Sequence, residues 1–478
     1  MTSIPGFSGP ELCALSARDA VALLRKGEVS VQEMLQAAFE RIETVEPAVN
    51  AMPTTCPDRA FAAARALEGD SSHRAWLAGL ALAIKDLTPV AGVRTTWGNV
   101  ALADHVPDAS DPLVERLERR GGIVVGKTNT PEFGAGANTF NEVFGMTRNP
   151  WDTRKNAGGS SGGSAVALAT GEVWLAHGSD LAGSLRTPAA YCGVVGLRPS
   201  PGRAGGGPAP AAFLMEGIPG PMARTVDDLA LFLDAMTGFD ARQPLSLDEP
   251  ATSFSHALSR PMDAPRIAFS EDQGGFAPVE PEIRAVLRAA MDAVADAGAT
   301  VQDAWPDLPR LHDTYVTLRG LHYASVNAKL PPEVQAQFKD TLRENTAFGL
   351  NMPASAIFDA QADRTVLYHR MRDFLQGHDV FAIPVVGLEP GPVEEEYPQS
   401  VDGVATGDYV DWLKFSFLAT TCALPALSLP VGLTASGMPV GLQLIGPPRG
   451  EATLLRAARR IEQVVGFPAT PIDPVRRH

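Results

Sequence analysis

The chain has 478 residues, 45% hydrophobic and 20% charged, the balance of a soluble globular protein long enough to bury a large core. Its formal net charge is −15 and its sequence pI about 5.1, which makes nucleic acid an unfavourable partner because phosphates repel an acidic surface. Cys13, Cys56, Cys192 and Cys422 are scattered, with no C-x-x-C pair and no Cys/His metal spacing, so reduced, buried thiols in a cytoplasmic protein are expected.

No basic segment followed by an apolar run opens the chain, so no signal peptide is expected. No uninterrupted apolar run reaches the roughly 18 residues that a membrane helix needs. The first part reads as a helical arm, about residues 1–60. Ser16 is an N-cap candidate before Ala17–Lys26, and Ser30 with Glu33 forms a capping-box pattern. Behind it Val31, Met34, Leu35, Ala38, Phe39, Ile42 and Val45 recur at helical spacing. The arm is expected to pack on the core or on a second copy, which leaves a homodimer open.

From about residue 77 short apolar strands alternate with helices. Strands are predicted at Leu80–Ile84, Ile123–Val125, Val173–Ala176, Val194–Leu197, Arg266–Phe269, Val380–Val386, Leu427–Val431 and Gly441–Leu444. An amphipathic run, Ile283–Ala297, ends at Gly298. Continuous apolar strands alternating with helices predict an α/β fold whose central sheet is covered on both faces. Residues 203–220 are Gly/Pro-rich and read as an ordered loop; residues 305–375 read as a helical insertion. The whole is taken as one domain, 1–478, with a catalytic core of about 61–300 and 376–478 around that insertion.

Two glycine–serine clusters stand out, Gly158-Gly159-Ser160-Ser161-Gly162-Gly163-Ser164 and Gly178-Ser179-Asp180-Leu181-Ala182-Gly183-Ser184, joined by an apolar stretch. Glycine permits sharp turns and close approach, and small neighbours leave a serine hydroxyl reachable. The first cluster fits G-x-S-x-G around Ser161, the nucleophile elbow of another hydrolase fold. That elbow needs an apolar strand before it, and Asn149–Asn156 is polar and turn-rich, so the match is read as accidental. A phosphate loop is excluded because no Gly-Lys-Ser/Thr closes the glycine run.

The segment from Gly158 to Pro188 resembles the signature of the amidase signature family, serine hydrolases that cut C–N bonds with a Ser–Ser–Lys triad. Ala83-Ile84-Lys85-Asp86-Leu87, Gly126-Lys127-Thr128-Asn129, Thr147-Arg148-Asn149-Pro150-Trp151, Gly220-Pro221-Met222-Ala223-Arg224-Thr225 and Pro439–Gly446 carry the likeness over most of the chain. The resemblance implies an α/β/α sandwich around a large mixed sheet, and no metal or cofactor. It implies Ser184 as nucleophile, Ser160 as relay and Lys85 as base, with a cis peptide bond at Gly159–Ser160. The backbone N–H groups of Leu181, Ala182, Gly183 and Ser184 would then converge on the oxyanion, where each such donor is typically worth about 3 kcal/mol.

The residues give this chemistry a physical basis. A serine hydroxyl needs a neighbouring base. Lys85 follows the apolar run Leu80–Ile84, and burial disfavours its ammonium form. Asp86 should point to the opposite face of the strand and need not pair with it. His177 has no counterpart in the signature and reads as structural. Leu181-Ala182 replaces the commoner Thr-Gly, which alters pocket shape but keeps the backbone donors. After Arg203 the chain departs from the A subunit of glutamyl-tRNA amidotransferase, which weakens a transamidase role.

Phe213, Leu214 and Met215 in the loop, with Tyr315, Leu318, His322 and Tyr323 in the insertion, are candidate walls of an apolar pocket. A small-molecule amide is the expected substrate, aryl or hydrophobic, with esters and carbamates (urethanes) open. The alternatives weighed are a glutamine-hydrolysing component of a transamidase and a non-catalytic scaffold.

Overall fold

Residues 4–68, 76–206 and 211–477 are described by the structure, a computed structural model. Helix α1 (Ala17–Lys26) begins where Ser16 accepts the Asp19 N–H and stops at left-handed Gly27. Helix α2 (Val31–Val49) begins with the full capping box of Ser30 and Glu33. Met34, Leu35, Ala38, Ile42 and Val45 of the predicted stripe are buried, with Val31 and Phe39 at its margin. The arm folds onto its own chain: buried Arg41 donates to the carbonyls of Thr170 and Ile472 and pairs with Asp473.

Eleven strands form one sheet. In chain order they are β1 (Thr54–Thr55), β2 (Ala81–Lys85), β3 (Ile123–Thr128), β4 (Leu175–Asp180), β5 (Val195–Arg198) and β6 (Ile218–Ala223). Then come β7 (Arg266–Phe269), β8 (Thr300–Asp303), β9 (Val380–Pro384), β10 (Ala426–Leu433) and β11 (Pro439–Ile445). Across the sheet they lie in the order β1-β3-β2-β4-β6-β5-β10-β11-β9-β7-β8. β2 runs parallel to β3 and β4, and β7 parallel to β8 and β9; the other pairs are antiparallel. Every residue of β2 and β9 is buried, which is why these strands read as continuous apolar runs.

Helix α3 (Gly162–Ala169) begins inside the first glycine–serine cluster, and α4 (Arg186–Cys192) follows the second. Helix α5 is Pro281–Asp296. The insertion is helical as predicted, with α6 (Leu311–Asn327), α7 (Asp340–Leu350) and α8 (Ala354–Phe374). Among the described residues no helix is long and apolar enough to cross a membrane.

Two departures from the sequence reading bear on the site. The strand predicted at Val173–Ala176 instead runs from Leu175 to Asp180, through half of the second cluster. Polar and glycine residues hide it; ladders to β2 and β6 hold it. The predicted loop 203–220 gives way at Ile218 to β6, whose Pro219 and Pro221 argue against a strand on sequence. Pairing of β6 with β5 covers only Met222 and Ala223, so both prolines lie beyond that ladder. Residues 207–210 of that stretch lie outside the described residues.

Candidate active site

Parallel strands β2 and β4 end on the same edge of the sheet, which brings Lys85 and Asp180 into one place. Lys85 is fully buried, and its Nζ lies 2.7 Å from Ser160 Oγ, 2.9 Å from Ser161 Oγ and 3.1 Å from Ser179 Oγ. Its pKa is lowered to about 7 because burial removes water from the ammonium, an effect that the charge of Asp180 opposes. A neutral amine among hydroxyls is therefore available near neutral pH.

The first cluster brings Ser160 to this amine. The Gly159–Ser160 peptide is cis, as the resemblance implies. A side chain at Gly159 would meet the backbone of Ala137 and Asn138 at 3.0–3.2 Å, a tight approach that glycine avoids. Ser161 is fully buried and tied to main chain: its Oγ donates to the Ser179 carbonyl at 3.2 Å and accepts the Ser179 N–H at 3.3 Å. The Ser161 N–H in turn donates to the Ser184 carbonyl at 3.1 Å.

The second cluster forms a turn between β4 and α4 that carries Ser184, which is 7% exposed. Gly183 has φ +87°, a left-handed conformation that favours glycine. Asp180 clamps this turn. Its carboxylate accepts the N–H groups of Gly183 and Leu185 at 3.1 Å each and the Arg186 guanidinium at 2.8 and 3.0 Å. Burial alone would raise its pKa, but Arg186 and Arg198 hold it well below the ordinary carboxylate range. Arg186 also donates to Gln443 of β11, so the clamp reaches the middle of the sheet.

The clamp divides the four expected oxyanion donors. The Gly183 N–H is engaged by Asp180, whereas those of Leu181, Ala182 and Ser184 have no acceptor among the described residues. Thr420 Oγ1 donates to the Leu181 carbonyl at 2.8 Å and fixes that peptide.

Asp86 does not pair with Lys85. It binds Lys127 Nζ at 2.9 Å and the Thr96 hydroxyl at 2.6 Å. His177 is buried in β4 with neither ring nitrogen bonded among the described residues. Its pKa is lowered to about 3 by burial, then by the charges of Lys85 and Lys127, so it stays neutral.

Of the candidate pocket walls, Tyr315 and Leu318 are buried on α6, where the Tyr315 ring stacks on Phe417 at 3.7 Å between centroids. Tyr323 is buried beside Arg319. His322 lies against Gly217, which Leu181 also approaches. Leu214 and Met215 are half-buried, and Phe213 is 78% exposed, outside any buried wall. Phe213 lies in a turn at 211–213 and not on a packed helix or strand.

Sequence reasoning missed Ser161 and Ser179 as partners of Lys85, and the Asp180–Arg186 clamp. The signal for the clamp was present, two opposite charges, Asp180 and Arg186, flanking Ser184. Ser416 carried no such signal: its Cβ lies 3.1 Å from where a side chain on Gly183 would begin, although the two are far apart in sequence.

The model of the Amidase family matches residues 33–455. The chain is 34% identical to the A subunit of the glutamyl-tRNA(Gln) amidotransferase of Anaeromyxobacter dehalogenans (strain 2CP-C), covering 97% of this chain and 99% of that one. It is likewise 34% identical to an acylamidase of Rhodococcus erythropolis, over 94% and 95% of the two chains. Its fold matches the crystal structure of a bacterial aryl acylamidase with a TM-score of 0.86 and 27% identity, over 95% and 98% of the chains.

Proposed function

The chain belongs to the amidase signature family, and from that premise we propose that it hydrolyses carboxylic amides through an acyl-Ser184 intermediate. The observation that carries this reading is the buried Lys85 amine 2.7 Å from the Ser160 hydroxyl. In the proposed cycle neutral Lys85 takes the Ser160 proton as Ser160 takes that of Ser184. Ser184 Oγ attacks the carbonyl carbon, and the backbone N–H groups of Leu181, Ala182 and Ser184 receive the negative charge. The C–N bond breaks, the amine leaves with the returned proton, and water releases the acid from the acyl ester by the reverse relay.

The acylamidase relatives and the buried aromatic Tyr315 favour aryl or hydrophobic amides. Esters and carbamates offer the same carbonyl to Ser184 and belong to the same proposal. Substitution Ser184→Ala is expected to abolish hydrolysis of 4-nitroanilides and labelling by a fluorophosphonate probe. Wild-type turnover in that variant would overturn the assignment. The similarity to the A subunit of the amidotransferase favours a second reading, release of ammonia from glutamine for a partner. Glutaminase activity and copurifying proteins would mark it.

A further inference from the structure

We infer that Arg319 is an anion-recognition residue of this site and that the preferred substrates carry a carboxylate a short way from the scissile bond. The inference rests on the amide-hydrolase reading above and adds a substrate class to it.

Among the described residues seven other arginines are buried: Arg41, Arg116, Arg186, Arg198, Arg203, Arg224 and Arg364. Each donates to a carbonyl or carboxylate. Arg319 is 3% exposed and is the exception: among the described residues no ion pair or hydrogen bond engages it, and its Nε is sealed from solvent without an acceptor. The carboxylates of its region are engaged elsewhere, Glu216 by Arg364 at 2.8 Å and Glu396 by Lys339 at 2.7 Å. Its guanidinium carbon lies over the rings of Tyr323 and Tyr409, at 4.5 and 5.1 Å. Ring faces attract the cation but leave its N–H groups without acceptors. A buried, unpaired cation is costly unless something supplies the missing charge.

The position is on the helix that packs beside the surroundings of the Ser184 turn. One turn before Arg319 on α6, Tyr315 stacks on Phe417, and the adjacent Ser416 lies against Gly183. One turn after it, His322 meets Gly217 beside Leu181. Arg319 therefore lies between two residues whose own neighbours, Phe417 and Gly217, are next to groups that touch the turn that carries Ser184 or are themselves approached by it. Beside it the hydroxyls of Tyr315, one turn away on α6, and of Tyr409, whose ring it overlies, are also buried without partners, as is His322 Nδ1. The guanidinium can only donate and both hydroxyls can, which suits the oxygens of a carboxylate.

Two matched substrate pairs test this and locate the carboxylate. Glutaric acid mono-4-nitroanilide against butyric acid 4-nitroanilide places it on the acyl side. 4-Acetamidobenzoate against 4-acetamidobenzamide places it on the leaving amine. In one pair the wild-type enzyme is expected to favour the anion by about 10- to 100-fold in kcat/KM, the size of a charge-assisted hydrogen bond. Arg319→Met is expected to erase that preference by a loss that falls more heavily on the anion than on the neutral substrate, and Arg319→Lys to restore part of it. No preference in either pair, or equal losses on charged and neutral substrates, overturns the inference. If Arg319→Met does not fold, the wild-type preference decides alone. If no amide of either kind is turned over, the hydrolase reading fails. Calorimetric titration of wild-type protein with glutarate and benzoate then tests Arg319 separately, since neither anion binding would overturn it.

Discussion

Lys85 Nζ lies 2.7 Å from Ser160 Oγ in a place where the two residues are 0% and 2% exposed. An amine so placed cannot borrow water to stay charged, and that sets the pH at which it works as a base. Its pKa is lowered to about 7, chiefly by burial. Base catalysis needs the neutral form, so kcat/KM should rise about tenfold per pH unit below about 7 and level off above it. A pH–rate profile on a neutral 4-nitroanilide checks this. A flat profile between pH values of about 5 and 8 would remove Lys85 as the base.

The same shift makes Lys85 a cost to folding. Its folded pKa of about 7 lies below the ordinary 10.5, so between these values the unfolded chain binds a proton that the folded chain does not. Wild-type stability therefore gains from this group as pH rises through that window, and below about 7 the full cost is present. Lys85→Met removes the cost along with the activity. Calorimetric melting should show the variant's advantage over wild type largest in mild acid and shrinking towards alkaline pH. An advantage that grows with pH would contradict the sign.

Ser160 and Ser161 both touch Lys85, at 2.7 and 2.9 Å, yet their substitutions should differ in kind. Ser160 is proposed to move the proton, so Ser160→Ala should cost at least ~10³-fold in kcat, as loss of a triad member does. Ser161 holds the backbone of Ser179 and positions Lys85. Ser161→Ala should cost about 1 kcal/mol of stability per lost hydrogen bond and roughly tenfold in kcat/KM. Steady-state kinetics with denaturant melts on both variants separates the roles, and equal kcat losses would refute the division.

The relation of sequence to this site is uneven for physical reasons. Local rules wrote the helix starts at Ser16 and Ser30 and the apolar run before Lys85, so those were legible. β4 was misplaced because Gly178, Ser179 and Asp180 have weak strand preference, and the ladder to β6 supplies what propensity does not. β6 was read as loop because Pro219 and Pro221 forbid a fully paired strand, a conflict that only the short β5 ladder resolves. The Ser416–Gly183 approach joins segments with no shared pattern. Phe213 looked like a pocket wall by its apolar type alone, and 78% exposure shows how little that type says of position.

Gly183 is where shape and chemistry of the turn meet. At φ +87° any other residue is strained, and a Cβ there would sit 3.0 Å from Thr187 Oγ1 and 3.1 Å from Ser416 Cβ. Thr187 is held by its own N–H to the Gly183 carbonyl at 2.7 Å, so the crowding falls on the turn itself. Gly183→Ala should therefore twist the peptides that carry Ala182 and Ser184. The stability cost should be about 1–3 kcal/mol, the usual cost of such backbone strain. The loss in kcat should be larger, ~10²-fold or more, because oxyanion donors act only when aimed at the developing charge. KM for a neutral amide should change little, since donors aimed at the transition state bind the ground state weakly. A stable variant with unchanged kcat would show that the 181–184 turn does not stabilise the oxyanion.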